Sequence, residues 1–226
     1  PLKVSDVVRT KHLEIVNGDG EPVISAGTAA GTGGGMLAIL NKSGQRVIYA
    51  GNDRDGDGVL TVLNKSGERV IYAGTGAGDS GNGLLTVSNK SGQDVVEAQA
   101  DGDGLLAVSN KSGHRVIYAG VGADGAGDGM LTILNKSRMP VIYAGEAAGD
   151  GLLTVLNKSG HPVISAGTGA GDDEDGVLTV FNNSGQGVVY AGTGAGGDGN
   201  GMLTVKNKSG QGVIYIGSSN NGNGGY

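Results

Sequence analysis

Short apolar segments alternate with short polar segments along the chain. The apolar segments are rich in Val, Ile, Leu and Thr and lack the spacing of an amphipathic helix. Gly, Asn, Asp and Ser bound each of them, which is typical of β-strands joined by turns. We therefore predict an all-β protein without helices.

The same frame of residues recurs nine times. Each copy contains an Asn that is followed three residues later by Gly, or by Arg138 in the sixth copy. These residues are Asn17, Asn41, Asn64, Asn89, Asn110, Asn135, Asn157, Asn182 and Asn207. Since their spacing is 21 to 25 residues, the chain consists of nine tandem repeats of about 24 residues.

The turn at the centre of each repeat has a defined chemistry. Asn-Lys-Ser-Gly suits a type I turn that begins with Asn and ends with Gly in the left-handed conformation of a G1 bulge. Each repeat is therefore predicted to be a β-hairpin. Arg138 replaces this Gly, so we expect it at positive φ.

The turn also predicts which residues share a face of the sheet. With one bulge, Leu85 and Val87 are expected on the same face as Val95. The opposite face is then only half apolar, with Met130, Thr132, Ile142 and Ala144 in the sixth repeat.

A sheet with these two faces needs a cover, because monomers rarely expose such large apolar areas. We expect the nine hairpins to stack into an elongated prism or solenoid. A homotrimeric prism with the Leu/Val face inward is favoured, since Gly-rich connectors allow close passage at its corners. The predicted organisation is a stem over residues 1–11, the nine-repeat β domain over 12–217, and a Gly/Asn-rich tail over 218–226.

Composition excludes several classes of protein. The 48 Gly and 4 Pro residues have no three-residue period, which excludes collagen. The absence of Cys removes disulfides and Cys nucleophiles. With no Trp, one Phe and a net charge of −6, neither a stacking platform nor a basic stripe for nucleic acid is predicted. No apolar run reaches the length of a membrane span, so we predict no membrane insertion.

No catalytic site is predicted. His12, His114 and His161 occupy unrelated positions in their repeats. The turn Ser recurs in eight repeats, which turn chemistry explains. Because the polar features repeat along the chain while a catalytic site is normally singular, we predict that the protein is not an enzyme and binds no cofactor.

One loop is a candidate calcium site. Asp53, Asp55 and Asp57 alternate like the first half of an EF-hand loop, in which carboxylates converge on a hard cation. The second half departs from that pattern, because Asn64 stands where the bidentate Glu would be. A second acidic loop runs from Asp172 to Asp175. Specific calcium binding and solvated acidic loops both remain open.

Three further repeated features have both a functional and a structural interpretation. Asn-x-Ser occurs at eight turns and matches the N-glycosylation acceptor, although the turn alone explains it. Regularly spaced Thr residues suggest ice binding or simply strand propensity. Six Tyr at hairpin ends suggest carbohydrate stacking or packing; they are Tyr49, Tyr72, Tyr118, Tyr143, Tyr190 and Tyr215.

In these repeated hairpins, the chain resembles the repetitive β-structured shafts of phage tail fibres and bacterial surface fibres. The resemblance is architectural, covers the whole chain and carries no signature motif. It implies a trimeric β-prism or β-helix located outside the cell, on the cell surface or on a virion. The expected function is a structural fibre or stalk module that self-associates. The alternative is a repetitive surface-binding module, such as a glycan adhesin, a Ca²⁺-binding protein or an ice-binding protein.

Overall fold

The computed structural model describes residues 10–29, 31, 33–76, 81–101, 103–121, 129–147, 150–168, 175–193 and 201–217. Within these ranges the protein is all-β, as predicted. The strands are β1 (His12–Val16), β2 (Pro22–Thr28), β3 (Gly35–Leu40), β4 (Arg46–Asn52), β5 (Gly58–Leu63), β6 (Arg69–Thr75), β7 (Gly83–Ser88), β8 (Asp94–Asp101), β9 (Asp103–Ser109), β10 (Arg115–Val121), β11 (Gly129–Leu134), β12 (Pro140–Ala147), β13 (Asp150–Leu156), β14 (Pro162–Thr168), β15 (Gly176–Phe181), β16 (Gly187–Thr193), β17 (Gly201–Lys206) and β18 (Gly212–Gly217).

The chain divides into an N-terminal unit, Pro1–Gly113, and a C-terminal unit, His114–Tyr226. Within each unit the strands are antiparallel and each pairs with its neighbours in sequence. The described strands of a unit contact only those neighbours. Each unit is therefore a single-layer meander. A solenoid would instead pair corresponding strands of successive repeats, so neither unit adopts the solenoid alternative.

The Asn turns have the predicted geometry. In the fourth repeat the Asn89 N–H donates to the Gln93 carbonyl at 2.8 Å, and the Gly92 N–H donates to the Asn89 carbonyl at 3.0 Å. Gly92 has φ 75°, and Arg138 has φ 62° at the equivalent position. Both the type I turn with its G1 bulge and the positive φ of Arg138 are confirmed.

The face assignment predicted from this turn is wrong, because a second bulge follows the first. Val87 pairs with Val96, whereas the next residue, Ser88, pairs with Asp94. Val95 is therefore an extra residue in β8. The same shift occurs in all eight hairpins whose Asn turn and paired strands lie within one unit. A one-residue slip exchanges the two faces of a strand.

The second bulge brings the aliphatic residues together on what we call the aliphatic face. Its two rows cross all nine strands of each unit without a polar side chain. In the N-terminal unit they are Leu13, Ala26, Leu37, Ala50, Leu60, Ala73, Leu85, Ala98 and Leu106, and Ile15, Ile24, Ile39, Ile48, Val62, Ile71, Val87, Val96 and Val108. In the C-terminal unit they are Ala119, Leu131, Ala144, Leu153, Ala166, Leu178, Ala191, Leu203 and Ile216, and Ile117, Ile133, Ile142, Val155, Ile164, Val180, Val189, Val205 and Ile214.

This face is not covered within its own unit. Leu85 is 43% exposed and Leu153 is also 43% exposed, although both lie on interior strands. Among the described residues, the only buried apolar side chains are Ala29, Ala38 and Ala107. Neither single-layer unit thus has a conventional hydrophobic core, and most of its exposed large apolar side chains lie on the aliphatic face.

The left-handed conformation of Arg138 predicts the effect of restoring the turn glycine. Because a side chain at positive φ costs about 1 kcal/mol relative to Gly, Arg138→Gly should stabilise the protein by about that amount. The midpoint of urea unfolding should rise accordingly.

The reciprocal variant Gly185→Arg is the control, since Gly185 has φ 79° and open space around the position of a Cβ. It should lower the midpoint by a similar amount. If Arg138→Gly left the midpoint unchanged while Gly185→Arg lowered it, strain at Arg138 would not be the cause.

Candidate functional surfaces

The opposite face of each sheet, which we call the tyrosine face, has a central row in which each Tyr lies beside Thr or Ala residues of the neighbouring strands. In the N-terminal unit the row is Glu14, Ser25, Ala38, Tyr49, Thr61, Tyr72, Thr86, Glu97 and Ala107. In the C-terminal unit it is Tyr118, Thr132, Tyr143, Thr154, Ser165, Thr179, Tyr190, Thr204 and Tyr215.

Each of these Tyr side chains lies along its own strand. The Tyr72 hydroxyl donates to the Thr75 carbonyl at 2.9 Å, across the intervening Gly74. A Cβ on Gly74 would lie 2.7 Å from that hydroxyl oxygen. Equivalent hydrogen bonds to the third residue onward are made by Tyr49, Tyr118, Tyr143 and Tyr190. Gly51, Gly74, Gly145 and Gly192 therefore make room for the Tyr side chain two residues before each of them.

Arg side chains stack on three of these Tyr rings. The guanidinium carbon lies 4.5 Å from the ring centre for Arg69 and Tyr72, 5.4 Å for Arg46 and Tyr49, and 5.6 Å for Arg115 and Tyr118. In a regular strand, residues three apart point to opposite faces. The extra residue of the second bulge puts Arg and Tyr on the same face, so this cation–π contact depends on the bulge.

The Thr residues of this face do not form an open array. Thr86 is 2% exposed and Thr132 is 9% exposed. Thr132 pairs with Tyr118 and Tyr143, and Thr86 pairs with Tyr72 and Glu97. Because larger neighbours cover these two hydroxyls, they are not available to an ice surface.

The candidate calcium loop is a hairpin turn between β4 and β5. Asp53 Oδ1 accepts the N–H groups of Asp55 and Asp57, both at 3.0 Å. The Asp53 N–H donates to the Asp57 carbonyl at 2.9 Å, and Gly56 has φ 96°. This is the geometry of the Asn turns, with Asp in place of Asn. The segment therefore has a structural role that sequence analysis missed.

Asp53, Asp55 and Asp57 are not brought together as a set of ligands. Within the described part of the chain, no three or more His, Asp or Glu side chains are grouped so that they could hold a metal ion. In the second acidic loop, Asp172, Asp173 and Glu174 lie outside the described residues. Calcium binding at either loop stays a prediction.

The Asn of the glycosylation-like segments is used by the turn itself. Asn64 Oδ1 accepts the N–H of Ser66 at 2.8 Å and of Glu68 at 3.1 Å, while its Nδ2 donates to Glu68 Oε2 at 2.9 Å. The repetition of Asn is thus explained by side-chain hydrogen bonds to the backbone.

The remaining polar candidates are separate from one another. His12 Nε2 lies 3.0 Å from Glu14 Oε1 on β1, whereas His114 and His161 follow the turns at Asn110 and Asn157. An open depression beside two Asn turns is lined by Asn17, Glu21, Pro22, Leu40 and Asn41. Its two Asn side chains already bond to their own turns.

Comparison with known proteins does not identify a family: no family model matches the chain, and no curated protein sequence matches it significantly. No helix long and apolar enough to cross a membrane occurs among the residues that the structure describes.

The contact between Tyr72 and Gly74 predicts a local dependence. Gly74→Ala should displace the Tyr72 ring and break its hydrogen bond to the Thr75 carbonyl. The expected cost is about 1–2 kcal/mol in the free energy of unfolding, measured by urea denaturation.

Gly83→Ala is the matched control, because a Cβ at Gly83 meets nothing within 4 Å. Removing the ring provides a second test. In a Tyr72→Ser background, with Ser as at Ser25 and Ser165, Gly74→Ala should cost little. An equal loss in both backgrounds would show that the Tyr side chain is not involved.

Substitutions in the Asp53 turn can distinguish a structural role of this segment from a metal-binding role. Asn fills the equivalent position in the repeats, so Asp53→Asn should preserve the turn, whereas Asp53→Ala should cost about 1 kcal/mol. If the loop also binds Ca²⁺, calorimetry should detect saturable binding at millimolar concentration that Asp55→Asn abolishes. Absence of binding to the wild-type protein would leave the turn as the only role of the segment.

Proposed function

We propose that this protein is a non-catalytic structural module of a fibre or stalk, and that its copies self-associate through the aliphatic face. The single observation that carries the proposal is the pair of unbroken aliphatic rows on each unit. A fibre of phage-tail or bacterial-surface type, located outside the cell, on the cell surface or on a virion, is the setting that fits such a module.

The size of the aliphatic face argues for a partner. Nine strands at a spacing of about 4.8 Å make each face roughly 40 Å long. The largest apolar patch on a typical monomer is only about 300–600 Å². Eighteen aliphatic side chains in two rows per unit reach or exceed this range, and covering them is the main free-energy gain open to the chain.

The two faces suit different roles in an assembly. On the tyrosine face, large and small residues fill one another's space, and Tyr hydroxyls bond to backbone carbonyls of the same strand. That face can remain outside. We propose that three copies turn their aliphatic faces inward to form a homotrimer, with Gly-rich connectors at the corners, where larger side chains would clash.

The alternative function is a glycan-binding surface module. The observation that favours it is the recurrence of Arg stacked on Tyr along the tyrosine face, because aromatic and guanidinium planes can both contact sugars. Burial of Thr86 and Thr132 makes ice binding the weaker alternative.

The proposal predicts that a carboxylate will weaken association at one of two adjacent residues of β14 and leave it unchanged at the other. Ile164 lies on the aliphatic face and is 36% exposed, so Ile164→Glu should bury a charge in the interface and weaken association at least about tenfold. Light scattering over a concentration series measures the mass. The wild type should have the mass of three chains of 22.2 kDa.

Ser165→Glu is the control, since Ser165 lies on the tyrosine face and Glu97 occupies the same repeat position naturally. It should associate like the wild type. A wild-type mass of one chain at micromolar concentration would overturn the proposal. Association of Ile164→Glu equal to that of Ser165→Glu would exclude the aliphatic face as the interface.

A further inference from the structure

Charge is distributed unequally along the strands of the C-terminal unit. One end of these strands, the turn end, carries the turns at Asn135, Asn157, Asn182 and Asn207, and the other, the connector end, joins one hairpin to the next. All six Lys and Arg residues of the unit lie at the turn end and are exposed. They are Arg115, Lys136, Arg138, Lys158, Lys206 and Lys208.

The acidic residues follow the opposite rule. In sequence, all nine acidic residues of this unit occur between the Gly that follows a Tyr-Ala or Ser-Ala pair and the Gly that opens the next apolar segment. The described ones are Glu146, Asp150 and Asp175, which lie at the connector end. Among the described residues of the C-terminal unit, one end of the strands is therefore basic and the other is acidic.

This polarity bears on how two aliphatic faces can meet. If copies are related by rotation about the direction in which strands stack, the turn end of one copy lies beside the connector end of the next. All copies then stack in the same direction. If two copies are instead related by a half-turn about the strand direction, turn ends meet turn ends and the stacking directions are opposed. Only the first arrangement brings opposite charges together.

We propose that copies of this chain associate in parallel, with the basic turn end of each C-terminal unit beside the acidic connector end of its neighbour. The inference rests on the self-association proposed above and adds its orientation. Exposed ion pairs are individually weak and are screened by salt. They favour the first arrangement, because like charges would meet at both ends of the strands in the second.

Charge reversal tests the contact. Reversing the turn end with Lys136→Glu, Lys158→Glu and Lys208→Glu should weaken association about tenfold or more at low salt. Reversing the connector end with Glu146→Lys, Asp150→Lys and Asp175→Lys should do the same. Combining all six substitutions should restore association, because complementarity returns with exchanged signs. In about 1 M NaCl the differences should disappear. No weakening by either triple variant, or a combined variant no better than the triples, would overturn the proposal.

Fluorescence energy transfer reads the orientation directly. The chain has no Cys, so the exposed turn residues Ser137 and Ser209 can be replaced singly by Cys and labelled. Their turns are six strands apart, roughly 29 Å along the stack. In a parallel assembly, donor and acceptor both at position 137 should transfer more efficiently than the pair 137 and 209.

The two proposals fail in different ways. More efficient transfer between positions 137 and 209 would show an opposed arrangement, which would overturn the orientation and the homotrimer but not self-association through the aliphatic face. A single-chain mass with no transfer in either pairing would overturn self-association itself. Unfolding curves of all variants, recorded in parallel, exclude loss of folding as the cause of a lost interaction.

Discussion

The second bulge after each Asn turn is the constraint on which both faces of the protein depend. In the fourth repeat it inserts Val95, so that Val87 pairs with Val96 and Leu85 with Ala98. Without that residue, the two strands of each Asn hairpin would turn their aliphatic side chains to opposite sides of the sheet. The aliphatic rows, the alternation of Tyr with Thr and the stacking of Arg69 on Tyr72 would then all be lost.

The two faces satisfy the same physical requirement by different means. On the tyrosine face, a ring lies over Gly74 and its hydroxyl bonds to a carbonyl of the same strand, so the sheet covers part of itself. On the aliphatic face, nothing within the unit performs that role, and Leu85 and Leu153 remain over two-fifths exposed. Most of the large apolar side chains that a unit leaves exposed thus lie on one side of its sheet.

The sequence allowed strands and turns to be predicted because their determinants are local: β-branched segments, an Asn that bonds its own turn, and a positive-φ residue that Arg138 occupies at a cost. The face assignment failed because Val95 is chemically like any strand residue. Only the pairing of β7 with β8 shows that Val95 has no partner and forms a bulge. Asp53 was interpreted as a metal ligand since alternating carboxylates suit both a cation and a turn. Its spacing to Gly56 and Asp57 matches that of Asn41 to Gly44 and Gln45, a signal that could have identified the turn.

Because each strand of a unit pairs only with its neighbours in sequence, the chain can change length by whole hairpins. A unit that gains or loses a whole hairpin gains or loses two strands, so the chain returns to the same end of the sheet and every later residue keeps its face. A duplication of a single strand would instead send every later Asn turn to the wrong end. Unequal recombination between repeats can therefore alter the number of hairpins while preserving both surfaces, and selection on length can act without redesigning the interface.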